Sequence, residues 1–116
     1  MLDRRTFLGA MGGTLAASSF SWSQDAPRKR MAIVTTEWRY GSHAWHMGER
    51  FLVGYPNHGR WHQPPFDVVS VYVDQQPGND LSRRRSKEFG FPIYPSIAEA
   101  LRCGGKELAV DAVLVI

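Results

Sequence analysis

A short turn after the first predicted strand carries residues whose types and spacing suit phosphate binding. Thr36, Trp38 and Gly41 stand at the three glycine positions of the pattern G-x-G-x-x-G, and only the third position is glycine. In that pattern the glycines let the backbone approach a pyrophosphate, and the N–H groups of the following helix donate to it. Glu37 and Ser42 complete this candidate dinucleotide-binding turn.

A strand and a helix must position this turn. Residues 31–36, Met-Ala-Ile-Val-Thr-Thr, are apolar and β-branched, which is typical of a buried strand. Apolar residues then recur at helical spacing from Ser42 to Tyr55, with Ser42 as the N-cap and Gly48 allowing a close approach to the sheet. Strand, tight turn and helix in this order open a dinucleotide-binding βαβ unit.

The rest of the chain alternates between strand and helix patterns. In order, we predict a loop Pro56–Pro65, a strand Phe66–Val73, a helix Leu81–Phe89 capped by Asp80, a short strand Phe91–Tyr94, a helix opened by the capping box Ser96 and Glu99, and a strand Ala109–Ile116 buried on both faces. This alternation with short connections predicts an α/β fold, namely a partial Rossmann-like parallel sheet of about four strands over residues 31–116.

The charge balance argues against a nucleic-acid partner. Before Met31 the chain has five basic and two acidic residues, and after Arg30 it has nine of each, so the net charge of +3 comes wholly from the first thirty residues. Because a nucleic-acid-binding domain carries a basic face on its folded part, we expect no such partner. The single Cys103 excludes an intrachain disulfide.

The first 23 residues have the pattern of a targeting segment. Asp3-Arg4-Arg5-Thr6-Phe7-Leu8 resembles the twin-arginine motif, an apolar run Leu8–Phe20 follows, and the small residues Ser21 and Ser23 flank a cleavage site. We expect a signal peptide over residues 1–23, a linker over 24–30, and export through the twin-arginine translocase to the periplasm or another extracytoplasmic space. The alternative is an amphipathic N-terminal helix that is retained.

Asp74 follows the strand Phe66–Val73 and is the candidate partner of a ribose 2′-hydroxyl, which favours NAD over NADP. The alternative role is a turn cap before Gln75. The run Arg83–Arg85 suits either a 2′-phosphate or, more simply, a solvated helix face. Its three positive charges do not decide between these roles.

Four histidines offer a different chemistry. His43 and His46 are three residues apart, and His58 and His62 are four apart, which are spacings that metal ligands use. A small secreted metal-binding protein is therefore one function class that the sequence leaves open, although no acidic residue in this segment is an obvious further ligand.

The chain resembles the N-terminal nucleotide-binding domain of the glucose–fructose oxidoreductase / inositol dehydrogenase / MocA family (Gfo/Idh/MocA). The most specific segment is Phe89–Leu101, Phe-Gly-Phe-Pro-Ile-Tyr-Pro-Ser-Ile-Ala-Glu-Ala-Leu. The turn at Gly41, the strand that ends in Asp74, and the strand Val110–Ile116 support it, and the likeness covers about Arg30 to Ile116.

The resemblance implies an exported NAD(P)-dependent oxidoreductase that acts on a sugar or polyol. It implies NAD or NADP as cofactor, a small-molecule substrate, and a homo-oligomer. The family's catalytic lysine and histidine match no residue here, so the resemblance also implies that the chain is the front part of a longer protein. The chain departs from the family at Thr36 and Trp38, whose side chains are expected to enter the phosphate space. That departure keeps open a non-catalytic Rossmann-like relative that has lost the phosphate-binding glycines.

Overall fold

The computed structural model of the protein describes residues 27–116. The predicted signal peptide therefore lies outside the described residues. In chain order the elements are β1 (Lys29–Thr35), a π-helical turn Ala44–Gly48 that continues into α1 (Glu49–Val53), β2 (Tyr55–Asn57), β3 (Arg60–His62), β4 (Phe66–Val73), α2 (Ser82–Phe89), α3 (Ile97–Arg102) and β5 (Ala112–Val115).

A parallel sheet of three strands, in the order β4-β1-β5, organises this mixed α/β fold. Met31 of the central strand is in register with Val68 on one side and Ala112 on the other, and the pairing with β4 shifts after Met31. Residues 31–35 are all buried, because the central strand of a parallel sheet is covered on both faces. The core around this strand includes Ile33 and Val71.

The predicted strands β1 and β4 are confirmed, and β4 has the predicted bounds. The predicted strand Phe91–Tyr94 forms only one bridge, between Ile93 and Val71. There Val71 donates its N–H to the carbonyl of Pro92, and Tyr94 donates to Val71. Proline lacks a backbone donor, so this proline-flanked segment cannot extend the ladder. The sheet therefore has three strands and one bridge in place of about four strands.

The predicted loop Pro56–Pro65 is wrong over most of its length, because β2 and β3 form an antiparallel hairpin there. His58 and Gly59 connect the strands with φ angles of 51° and 78°. Two consecutive positive φ angles are typical of the tight turns whose twist matches paired strands. Turn-forming residues in this segment therefore mark a hairpin rather than an irregular loop.

The predicted final strand is shorter than expected and is not buried on both faces. β5 covers four residues, and its side chains alternate between half-buried and exposed, with Val115 71% exposed. The reason is its place at the edge of the sheet, where it pairs with β1 alone.

The predicted helix start at Ser96 is confirmed by a side-chain hydrogen bond, whereas the N-cap of the π-helical turn is His43 and not Ser42. The Ser42 hydroxyl accepts from the N–H of Trp45, and the Ser96 hydroxyl accepts from the N–H of Glu99. Asp80 does not occupy the N-cap of α2, which is Leu81, but its Oδ2 accepts from the hydroxyl of Ser82. Within residues 27–116 no helix is long and apolar enough to cross a membrane.

Candidate functional site

The carboxyl ends of the three parallel strands meet at one edge of the sheet. Thr36 donates its N–H to the carbonyl of Ile116 at 3.3 Å, and Asp74 donates its N–H to the carbonyl of Thr35 at 3.0 Å. The structure thus brings together the candidate turn after β1, the acid after β4 and the end of β5. Ligands of open α/β sheets bind at this edge.

Gly41 gives the candidate turn its shape. Ser42 donates its N–H to the carbonyl of Arg39 at 2.9 Å, and Gly41 between them has φ +83°. A positive φ at the third residue of such a turn is typical of a type II turn and favours glycine. A side chain here would meet no atom within 4 Å, so Gly41 serves the turn and not helix packing. Tyr40 beside it is 74% exposed.

Ser42 is buried, and its hydroxyl stabilises both the turn before it and the first turn of the helix after it. Its hydroxyl accepts from the N–H of Arg39 at 3.1 Å and from the N–H of Trp45 at 3.2 Å. The backbone N–H groups of Tyr40 and Gly41, by contrast, donate to no other residue in the described range. These two amides are the donors that the turn can offer to an anion.

Trp38 does not enter the phosphate space, contrary to the sequence expectation. Its indole is fully buried and stacks on Phe91, with ring centroids 5.9 Å apart and an angle of 13° between the planes. A methyl group on Gly48 would lie 3.4 Å from the Trp38 ring and 3.4 Å from Ile33. Gly48 therefore provides the predicted close approach, and the indole fills the space next to it.

A partly buried ion pair, which the sequence did not reveal, holds the indole in place. Trp38 donates its Nε1–H to Oε2 of Glu49 at 3.1 Å, and Arg85 donates from Nε to the same oxygen at 2.6 Å. Both charged side chains are largely buried, and the hydrogen bond to Glu49 raises the pKa of Arg85. The only sign of this contact in the sequence is that Glu49 and Arg85, 36 residues apart, carry opposite charges.

Backbone hydrogen bonds join the turn to the segment after β4. Gln75 donates its N–H to the carbonyl of Thr36, and Leu81 donates to the carbonyl of Trp38, both at 2.7 Å. Together with the bond from Asp74 to Thr35, they bridge the crevice between the two chain segments. The turn is therefore held along its first half, and its exposed half begins after Trp38.

The two acidic candidates have partners of their own. Asp74 is exposed, and its Oδ1 accepts from the hydroxyl of Tyr72 at 3.0 Å, which raises the pKa of Tyr72. Glu37 is half-buried and forms an ion pair with Arg39 at 3.1 Å. Asp74 remains accessible to a ligand, whereas the Glu37 carboxylate balances the charge of Arg39.

Two of the three arginines of α2 have an acidic partner, and the third donates to a neutral amide. Arg83 donates from Nη2 to Oε1 of Gln76 at 2.7 Å, Arg84 pairs with Glu88, and Arg85 pairs with Glu49. The two histidine pairs do not form part of a metal-binding cluster among the described residues. No group of three or more His, Cys, Asp or Glu side chains among residues 27–116 is arranged to hold a metal ion.

Comparisons of the chain with family models, with curated proteins and with solved structures found no match.

Proposed function

We propose that residues 31–116 are a Rossmann-like nucleotide-binding domain, the front part of an exported NAD(P)-dependent oxidoreductase of the Gfo/Idh/MocA type. The strand order carries this proposal. The chain runs from β1 to β4, then to the bridge at Ile93 on the outer side of β4, and returns to β5 on the other side of β1. Counted in chain order this is 3-2-1-4, which matches the first four positions of the doubly wound dinucleotide-binding order 3-2-1-4-5-6, with the reversal between β1 and β5.

In this proposal the pyrophosphate lies over the exposed half of the turn, Tyr40–Ser42. The free amides of Tyr40 and Gly41 donate to it, and the start of the following helix favours its negative charge. Asp74 accepts from the adenosine ribose, and its charge disfavours a 2′-phosphate, so NAD is preferred over NADP. When bound, the cofactor supplies hydride transfer; the chain's own residues bind and orient it.

The wider assignment rests on the sequence resemblance. It comprises a sugar or polyol as substrate, a homo-oligomer, and export through the twin-arginine translocase. Replacing Arg4 and Arg5 with lysine should retain the protein in the cytoplasm, as measured by cell fractionation, and unchanged export of this variant would refute that route.

A second candidate is a non-catalytic relative that keeps the frame and lacks the dinucleotide site. The backbone bonds from Gln75 to Thr36 and from Leu81 to Trp38 favour it. These bonds hold the turn against the segment that carries Asp74. An adenosine ribose that contacts both segments would have to bind between them.

Calorimetric titration of the full chain with NAD and with NADP separates the two candidates. We expect wild type to bind NAD, and Asp74→Ala to weaken NAD binding by roughly 1.5–3 kcal/mol because a charge-assisted hydrogen bond is lost. NADP binding should weaken less, since the removed carboxylate repels the 2′-phosphate. Glu107→Ala, which removes an exposed acid elsewhere, is the matched control. Absence of binding by wild type to either cofactor would favour the non-catalytic relative.

A further inference from the structure

The hairpin Tyr55–His62 is a two-stranded ribbon with two chemically different faces. Its cross-strand pairs are Tyr55 with His62, Pro56 with Trp61, and Asn57 with Arg60. Because side chains alternate along a strand and cross-strand partners share a face, Pro56 and Trp61 lie on one face. The other two pairs lie on the opposite face.

The first face is apolar and exposed. Trp61 is 65% exposed, and its Nε1–H donates to the carbonyl of Val53 at 2.9 Å. Pro56 across from it is also exposed, and so is the side chain of Val53. Because the indole N–H already donates to an acceptor, the exposed part of the ring can be buried in an interface without leaving an unsatisfied hydrogen-bond donor.

The opposite face is cationic and aromatic. Tyr55 and His62 stack edge to face at 5.1 Å, and the guanidinium of Arg50 lies over the Tyr55 ring, 5.1 Å from its centroid. Arg60 is exposed beside the hairpin turn. Residues 50–66 contain no Asp or Glu, and neither Arg50 nor Arg60 has an acidic partner within residues 27–116.

A bilayer surface that the ribbon meets edge-on contacts both faces at once. A dissolved polyanion such as a nucleic acid would contact the arginines and leave Trp61 in water. At a bilayer surface the indole lies at the level of the headgroups, while the arginines reach the lipid phosphates. We propose that the hairpin Tyr55–His62, with Arg50, binds an anionic phospholipid surface.

Hydrogen exchange of the full chain with phosphatidylcholine vesicles, with or without phosphatidylglycerol, tests this proposal. We expect the anionic vesicles to protect residues 50–63 and the neutral vesicles to protect them much less. Arg60→Gln should raise the lipid concentration for half-maximal protection about fivefold, because one basic contact is lost. Trp61→Ser should weaken protection by both vesicle types.

Matched controls lie away from the hairpin. Arg84→Gln removes one exposed arginine and Phe89→Ser removes one exposed aromatic ring, and neither should change the protection of residues 50–63. Circular dichroism shows that each variant is folded. Attachment through another part of the chain would affect wild type and variants alike. The proposal is overturned if Arg60→Gln and Arg84→Gln behave the same, or if a single-stranded oligonucleotide protects the hairpin and the vesicles do not.

Discussion

The turn at residues 36–42 and the hairpin Tyr55–His62 lie at opposite ends of the first helix, and each is built around a tryptophan. Both indole N–H groups have an acceptor, Glu49 for Trp38 and the carbonyl of Val53 for Trp61. Trp38 nevertheless is fully buried, whereas Trp61 is 65% exposed. The difference lies in what covers each ring: the sheet and Phe91 cover Trp38, whereas within residues 27–116 no second layer covers Trp61 on the two-stranded ribbon. The same residue type therefore anchors one segment and presents a surface in the other.

Truncating the two tryptophans should give the largest contrast. Trp38→Ala removes a fully buried ring that fills the space beside Gly48, and we expect a loss of about 3–5 kcal/mol of unfolding free energy. Trp61→Ala removes a mostly exposed ring and one hydrogen bond, for a loss of about 1 kcal/mol. Urea unfolding of both variants measures the difference. Equal losses would show that Trp38 is not a core anchor.

Two glycines sharpen the contrast at a smaller scale. Gly41 in the turn and Gly54 before the hairpin have φ angles of +83° and +84°. A Cβ on Gly54 would lie 2.7 Å from the carbonyl oxygen of His62, whereas one on Gly41 would meet nothing within 4 Å. Gly41→Ala carries the cost of a positive φ, about 1–2 kcal/mol. Gly54 has ψ −175°, a backbone conformation that essentially only glycine adopts, so Gly54→Ala carries a backbone cost of about 1–3 kcal/mol and about 1–3 kcal/mol more for the close contact. Thermal unfolding checks the ranking, and a reversed order would contradict the close packing of the hairpin against α1.

The smallest expected effect concerns the acid after β4. The hydrogen bond from Tyr72 to Asp74 raises the pKa of Tyr72 above 10.0. A pKa that is higher in the folded than in the unfolded state contributes stability below the unfolded pKa, and that stability is lost as pH rises through the folded pKa. Stability should therefore fall above about pH 10. NMR titration of the Tyr72 ring should show a lower pKa in Asp74→Asn, and an unchanged value would mean that the hydrogen bond is absent in solution.

Local patterns in the sequence were sufficient to predict the elements whose signals lie in consecutive residues. The apolar run of β1, the bounds of β4, and the cap at Ser96 follow from neighbouring residues alone. The edge position of β5 does not, because burial depends on how many strands pair with it. The same apolar run would be buried on both faces in the centre of a sheet.

The site was predictable in position and not in detail. The placement of Thr36 and Asp74 at one edge of the sheet follows from parallel strands. The direction of the Trp38 side chain does not, since it depends on Glu49, Arg85 and Phe91, which are distant in sequence. A glycine pattern also says nothing about the backbone bonds that tie the turn to the segment after β4.

We propose that the exposed half of the turn, and not the hairpin, binds a dinucleotide. The most direct measurement is amide chemical-shift mapping of the isotope-labelled full chain during titration with NAD. The proposal predicts saturable shifts at Tyr40, Gly41 and Asp74 and unchanged signals over residues 55–62. Shifts confined to the hairpin would contradict it. So would the absence of any shift at cofactor concentrations far above the dissociation constants that are typical of dehydrogenases.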